Sequence, residues 1–210
     1  MINSKKELEF YLMADRIMSG YAPQLGLVQR VLFHAKRALG GGILTSYLYS
    51  LRKTAYYANC KGADSLLFKY WNWKLRKAGI KFGFSIGYNS LGYGVVIPHW
   101  GTIVVNPDSR VGNFAVLQTS TCIAGGGKVI GDGLYLAVGS QIVGELTLGE
   151  NVTVASHSMV NKSFGDNVLI VGAPAFAKQN NRSPWYEGQV FEKKVQLIKK
   201  LRKEWFGNEE

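Results

Sequence analysis

A chain of 210 residues with 47% hydrophobic content is long enough for one sizeable globular domain with an extension. Its two cysteines, Cys60 and Cys122, cannot form a disulfide framework, which favours the reducing cytoplasm. No apolar run has the length or position of a signal peptide or a membrane-spanning helix. We therefore expect a cytoplasmic protein.

The net charge of +11 is concentrated near the N-terminus. Residues 1–81 hold 14 Lys and Arg against 4 Asp and Glu, whereas residues 82–178 hold 4 against 5 and residues 179–210 hold 7 against 5. A strongly basic segment can meet nucleic acid, an anionic membrane or an anionic substrate. No nucleic-acid-binding motif accompanies it, so we expect no nucleic-acid partner.

The N-terminal extension, residues 1–81, reads as a series of helices. Capping, glycine and spacing signals predict helices over 4–19, 25–39, 43–60 and 66–78. Many aromatic residues lie between Lys and Arg there: Tyr47, Tyr49, Tyr56, Tyr57, Phe68, Tyr70, Trp71 and Trp73. The favoured interpretation is a packed helical cap with its charged face in water. The alternative is a platform on the inner face of a membrane, with peripheral contact through residues 1–81.

A six-residue repeat occupies most of residues 82–178. An aliphatic residue heads each unit, and a small residue often follows it. The heads are Ile86, Leu91, Ile97, Val105, Val111, Leu117, Ile123, Ile130, Leu136, Ile142, Leu148, Val154 and Val160. This period fits neither a helix nor a flat strand, and a fixed period indicates an array of stacked units.

Six residues can form one short strand and one corner, so three units make a triangular coil of a parallel β-helix. Coils stack at the strand spacing of about 4.7–4.9 Å, with each aliphatic head pointing inward onto its equivalents. The small residue after each head is expected to let the backbone turn the corner. Residues 179–210 then follow as a C-terminal helix, opened by Ser183-Pro184.

The repeat is interrupted where the spacing from Ile97 to Val105 grows to eight residues. The two additional residues lie in a stretch that contains His99. An irregularity in a regular array is a common place for function. His99 is therefore the leading candidate for chemistry, although a lone histidine is more often an ordinary loop residue. His34 and His157 are expected to be structural, with the alternative that His157 reaches a bound cofactor on the outer face.

The segment from Gly92 to Asn106 resembles the catalytic turn of the hexapeptide-repeat acyltransferases, in particular serine acetyltransferases and related polysaccharide O-acetyltransferases. The resemblance covers residues 82–178 and is carried by His99-Trp-Gly-Thr102 and by Val171-Gly-Ala-Pro174. It implies a mainly β fold: a left-handed parallel β-helix of about five coils, with an N-terminal α-helical extension and a C-terminal helix. It also implies a homotrimer with active sites between subunits.

The resemblance further implies that His99 acts as general base in acetyl transfer from acetyl-CoA to a hydroxyl group. Imidazole suits that work because it can accept and return a proton near neutral pH. Positions matching the cofactor groove are Ala124, Gly125, Ala137, Gly139, Ser156, Lys162, Ala173 and Lys178; each is equally explained as a corner of the coil. Expected acceptor-binding residues are Tyr88, Asn89, Tyr93, Trp100 and Asn106, although these aromatics could instead pack a trimer interface.

Three departures from the serine acetyltransferase pattern bear on the acceptor. Phe84 stands where that family has an aspartate that orients the histidine, and Gly127-Lys128 replaces its Arg-His-Pro loop. Thr119 stands where it has a glutamine. We therefore expect a sugar acceptor, from a surface polysaccharide or its precursor, with L-serine as the alternative and a non-catalytic scaffold as the second alternative. Two histidines in the repeats are too few for a three-histidine zinc site, so no metal is expected.

Overall fold

The computed structural model describes residues 1–21, 43–188 and 190–207. Within these ranges three helices come first: α1 (Lys5–Met18), α2 (Ile43–Lys61) and α3 (Leu66–Phe82). Thirteen short strands follow, and α4 (Val190–Phe206) ends the described chain. The helix predicted over 25–39 and His34 lie outside the described residues. None of the described helices is long and apolar enough to cross a bilayer.

The strands form three sheets, parallel except for the last strand, which are the three faces of a β-helix. Face 1 contains β1 (Phe84–Ile86), β2 (Ile103–Val105), β5 (Thr121–Ala124), β8 (Gln141–Val143) and β11 (Met159–Val160). Face 2 contains β3 (Arg110–Val111), β6 (Val129–Ile130) and β9 (Thr147–Leu148). Face 3 contains β4 (Val116–Leu117), β7 (Tyr135–Leu136), β10 (Thr153–Val154), β12 (Leu169–Gly172) and the antiparallel β13 (Ala175–Gln179).

The register of these strands follows the six-residue repeat. Val105 pairs with Ile123, and Ile123 pairs with Ile142, so each head lies over the head three units earlier. The heads are buried and form the main core. The predicted parallel β-helix of about five coils is confirmed.

The small residue after each head does not turn the corner, as was predicted, but has a different structural role. A Cβ added at Gly112 would lie 2.6 Å from the backbone of Gly131, and one at Gly131 would lie 2.8 Å from Gly149. These glycines allow neighbouring coils to stack backbone on backbone. The left-handed residue that turns the corner comes two places later, as at Phe114 and Asn151, with φ of 58° and 54°.

A buried ion pair attaches the helical cap to the first coil. The guanidinium of Arg52 on α2 donates to the carboxylate of Asp15 on α1, with Nε 2.8 Å from Oδ2. Arg52 also donates to the carbonyl oxygens of Leu91 and Gly92, and Asp15 Oδ1 accepts from the backbone N–H of Gly94. Both side chains are almost fully buried, so the cap is packed onto the coil through satisfied charges rather than through water.

Two helix boundaries differ from prediction. Helix α3 runs to Phe82, four residues beyond the predicted end at residue 78, and it stops at Gly83 in the left-handed conformation. Helix α4 begins at Val190 rather than at Ser183, because Trp185 and Tyr186 pack beside Phe114 before the helix starts. Val195 and Ile198 of α4 then pack with Phe10 and Ile17 of α1, so the C-terminal helix returns to the cap.

Candidate active site

The corner between face 3 and face 1 is longest in the first coil. Five residues, 98–102, lie between Ile97 and β2 there, whereas three residues, 118–120, lie between β4 and β5 in the next coil. We call this edge of the β-helix, with 98–102, 118–120, 137–140 and 155–158 in successive coils and the β12–β13 turn at 173–174 at its end, the His99 corner. His99 and Trp100 project from its longest loop and are exposed.

The loop that carries His99 is fixed to the C-terminal end of α3. Gly101 N–H donates to the carbonyl oxygen of Phe82 at 3.0 Å, and Ile103 N–H donates to that of Gly83 at 3.0 Å. A Cβ at Gly83 would lie 3.0 Å from the carbonyl carbon of Gly101. A Cβ at Gly101 would collide with Thr119 Oγ1 of the coil below. Glycine at both positions therefore lets helix, loop and next coil meet.

The imidazole of His99 makes no hydrogen bond to any residue in the part of the chain described. Phe84, at the position expected for an orienting aspartate, is a buried residue of β1. Its ring meets the Tyr47 ring edge-on at 4.9 Å between centroids. Phe84 therefore packs in the core and offers no polar group that could orient the imidazole. His99 depends on its loop alone for position.

The acceptor-binding residues expected from sequence do not form one site within one copy. Trp100 stands beside His99 with 69% of its surface exposed. Tyr93 is buried against Phe10 and Phe114, and burial raises the pKa of its phenol to about 12. This tyrosine belongs to the core, not to a sugar-stacking surface.

The other three expected acceptor residues lie on the corner between face 1 and face 2. We call that edge the Lys128 corner, with 87–90, 106–109, 125–128, 144–146 and 161–163 in successive coils. Tyr88 packs edge-on against Phe68, and Asn89 exchanges two side-chain hydrogen bonds with Asn59 of α2. The Asn106 side chain accepts from Asp108 N–H within its own turn. These contacts are structural.

The expected cofactor positions divide between the same two corners. Ala137, Gly139, Ser156 and Ala173 lie below His99 on its own corner. Gly125 and Lys162 lie on the Lys128 corner, with Ala124 at the end of β5 beside it, while Lys178 is exposed on β13. One copy therefore presents two separate columns of small or basic residues.

His157 lies on the same column as Gly139. Its backbone is left-handed, with φ of 57°, and a Cβ at Gly139 would lie 2.6 Å from His157 Nδ1. The side chain therefore covers the Gly139 backbone and is exposed to solvent. Three coil steps separate it from the His99 loop, which is about 14 Å at the usual strand spacing.

The buried position of Lys128 was not predicted from the sequence. The additional residue between Ile123 and Ile130 puts this lysine at the interior corner position that Ser90 and Ser109 occupy in earlier coils, and it is fully buried. Its Nζ donates to the carbonyl oxygens of Ala124 and Gly125, the latter at 2.9 Å. Burial lowers the pKa of the amine. The seven-residue spacing from Ile123 to Ile130 is the sequence feature that could have indicated this buried position.

The comparisons with known proteins agree on one kind of relative. No family model matches the chain. It is 27% identical over 100 residues to serine acetyltransferase of Staphylococcus xylosus, covering 44% of this chain and 46% of that protein. It is 30% identical over 92 residues to the mitochondrial serine acetyltransferase 3 of Arabidopsis thaliana, covering 40% and 24%. The chain thus spans less than half the length of these curated relatives.

Solved structures show the same fold over more of the chain. A serine acetyltransferase of Neisseria gonorrhoeae in complex with serine superposes with a TM-score of 0.57 at 20% identity, over 82% of this chain and 69% of that one. A serine acetyltransferase in complex with CoA superposes equally well at 16% identity, over 80% and 82%. Together with the six-residue repeat, these likenesses confirm the left-handed β-helix with its terminal helices. The chain is therefore similar in sequence, over less than half its length, and in fold to serine acetyltransferases, which are hexapeptide-repeat acetyltransferases.

Proposed function

We propose that this protein is an acetyl-CoA-dependent O-acetyltransferase with His99 as its general base. The observation that carries the proposal is the His99 loop itself. It is the expanded corner of an otherwise regular coil, it presents an exposed imidazole, and it stands above a column of small residues. A non-catalytic scaffold would not need the expansion or its two interlocking glycines.

In the proposed reaction, His99 accepts the proton of the acceptor hydroxyl as its oxygen attacks the thioester carbon of acetyl-CoA. The carbon–sulfur bond then breaks, and the protonated imidazole returns the proton to the departing CoA sulfur. The products are an O-acetyl ester and CoA. No acyl-enzyme is required, because His99 has no serine or cysteine hydrogen-bonded to it among the described residues.

Acetyl-CoA is proposed to lie along the His99 corner. Ala137, Gly139 and Ser156 continue down this edge from the histidine, and their small side chains leave backbone groups open to a ligand. The column is about 14 Å long from the His99 loop to Ser156, at the usual coil spacing. Lys178, exposed on β13, offers charge for the phosphates of CoA, and Lys162 would do so from the Lys128 corner of a neighbouring copy.

The division of candidate residues between two corners supports a homotrimer. In a closed ring, the His99 corner of one copy can face a different corner of its neighbour. Ala124 and Gly125 would then reach the groove from the next copy. Light scattering at low micromolar concentration is expected to give three times the chain mass, and a monomer would remove the shared groove.

The comparisons favour L-serine over a sugar as the acceptor, because the curated relatives are serine acetyltransferases. One observation favours the sugar candidate. Lys128 replaces the Arg-His-Pro loop, yet its amine is buried on two carbonyl oxygens and cannot meet a substrate carboxylate. L-serine is therefore the first acceptor to test, and neutral sugars and nucleotide-sugars are the second.

The test measures thiol release from acetyl-CoA with each acceptor in turn. Turnover of L-serine alone would establish the first candidate, and turnover of sugars alone the second. If neither is accepted and calorimetry finds no heat with acetyl-CoA at millimolar concentration, the acetyltransferase proposal fails.

Replacing His99 tests the base. His99→Ala is expected to lower kcat by roughly 10²–10⁴, because the imidazole accepts and donates the transferred proton. Acetyl-CoA binding should be retained, because the imidazole does not hold the cofactor. His157→Ala is the matched histidine variant; it should change the KM for acetyl-CoA with kcat within about threefold. Full activity of His99→Ala would mean that another group is the base.

A further inference from the structure

The outer face of α3 is exposed, apolar and basic at once. Turns of the helix bring eight exposed residues to one side, at spacings of three and four. They are Leu66, Lys69, Tyr70, Trp73, Arg76, Lys77, Ile80 and Lys81. Ile80 is 86% exposed and Trp73 is 56% exposed. We call these eight residues the outer face of α3.

The inner face of the same helix accounts for its packing, so the outer face is not needed for it. Leu75 is buried, the Phe68 ring meets Tyr88, and the Trp71 ring meets Tyr49 of α2 at 5.6 Å between centroids. A helix that needs apolar residues only on its inner side usually places polar ones outside. Here four large apolar side chains stand outside.

Charge selects what can cover this face. Helix α3 contains five Lys and Arg and no Asp or Glu. Lys77 Nζ lies 5.0 Å from the centre of the Trp73 ring, so charge and aromatic surface are presented together. A second copy docking by two-fold symmetry would place four cations of this face against the same four. An anionic surface is the complementary partner.

We propose that the outer face of α3 binds an anionic phospholipid surface. Tryptophan and tyrosine rings suit the headgroup level of a bilayer, and an apolar stripe flanked by lysines is the pattern of a helix lying in that plane. Each lysine or arginine near such a surface contributes roughly 1 kcal/mol, or about fivefold in affinity. Trp73 and Ile80 enter the interface while Lys69, Arg76, Lys77 and Lys81 meet phosphates.

The position of this face also bears on the proposed function. Phe82, the last residue of α3, holds the His99 loop through the hydrogen bond from Gly101. A bilayer-bound α3 would therefore place the loop near the headgroups. That consequence rests on the proposed function; the binding of the helix to lipid does not.

Vesicle co-sedimentation of the full chain, without acetyl-CoA or acceptor, tests the binding. Vesicles of phosphatidylcholine with about 30% phosphatidylglycerol are expected to bind at least tenfold more tightly than phosphatidylcholine alone. Lys69→Glu/Lys77→Glu should lower that affinity at least tenfold. The matched control, Lys193→Glu/Lys203→Glu, makes the same charge change on exposed residues of α4 and should stay within about twofold.

Trp73→Ser/Ile80→Ser separates insertion from charge alone. This variant should lose several-fold affinity and bind more salt-sensitively than the wild type. The proposal is overturned if the wild type ignores anionic vesicles, if the α4 control loses as much as the α3 variant, or if the serine variant binds unchanged. A change in the mass of the α3 variants without vesicles would instead make this face an interface between copies.

Discussion

The helical cap and the coil stack are held in opposite ways. The cap meets the first coil through apolar packing, such as Tyr47 on Phe84, and through one buried ion pair, Asp15 and Arg52, whose hydrogen bonds each have a specific partner. The coils are held by the same kind of aliphatic contact repeated from layer to layer. The polar part of the cap's attachment is therefore concentrated at one point, whereas the stack is held by many equivalent contacts. Substitutions should show a few large effects in one region and many similar ones in the other.

The largest effect is expected at the ion pair. Arg52→Met leaves the Asp15 carboxylate buried without its cation, which should reduce the free energy of unfolding by about 3–5 kcal/mol. Urea denaturation measures it. Lys5→Met removes a cation whose partner, Glu9, is 3.9 Å away on the surface of α1. It should cost less than about 0.5 kcal/mol, and equal costs for the two variants would show that the buried pair contributes no more than a surface pair.

Substitutions in the stack should be smaller and alike. Ile123→Ala and Ile142→Ala remove equivalent, fully buried heads from adjacent coils of face 1. Each should cost about 2–4 kcal/mol, from lost apolar burial and the cavity left behind. Val138→Ala on the exposed His99 corner is the control and should cost under about 0.5 kcal/mol. A difference of more than twofold between the two isoleucines would show that the coils are not equivalent.

The smallest effect depends on pH and concerns the contact between the cap and the first coil. Burial raises the pKa of Tyr93 to about 12. Between pH 10 and 12 the unfolded chain loses this proton while the folded chain keeps it, so stability falls as pH rises. Tyr93→Phe lacks the group, and its loss of stability from pH 9 to 11 should be about 1 kcal/mol smaller than that of the wild type.

Denaturation midpoints at the two pH values for both proteins give the comparison. Equal losses of stability in the wild type and in Tyr93→Phe would mean that the Tyr93 phenol is accessible to water in the folded state.

The fold could be predicted because its determinants are local and periodic. Each head from Ile86 to Val160 carries the same information, and an error at one of them would not have changed the answer. Helix α1 was predicted for a similar reason: Ser4 accepts from Glu7 N–H as its N-cap, and both residues lie within one turn. The predicted end of α3 at residue 78 was wrong, because Gly79 lies within the helix, where a Cβ would meet the carbonyl oxygen of Phe84.

The site was harder because it depends on which corner a residue occupies. Asn106 and Trp100 are six residues apart, yet they lie on different edges of the coil. Tyr93 looked like a surface aromatic because the residues that bury it, such as Phe10, come from the cap, far away in sequence. Lys128 reads as an ordinary surface charge until the coil register places it inside.

The contact between Gly83 and Gly101 limits where this chain can be divided into separate domains. The composition of the sequence puts the boundary between cap and β-helix between residues 81 and 82. That boundary lies inside α3, next to the two hydrogen bonds that hold the His99 loop. A β-helix transplanted without the cap would lose the support of that loop and also the cap side chains, such as Tyr47, that pack into its core. A foreign cap would supply it only if its last helix ended in the same geometry. Helix and loop therefore form one structural unit, and a chimera joined between them is expected to displace the loop.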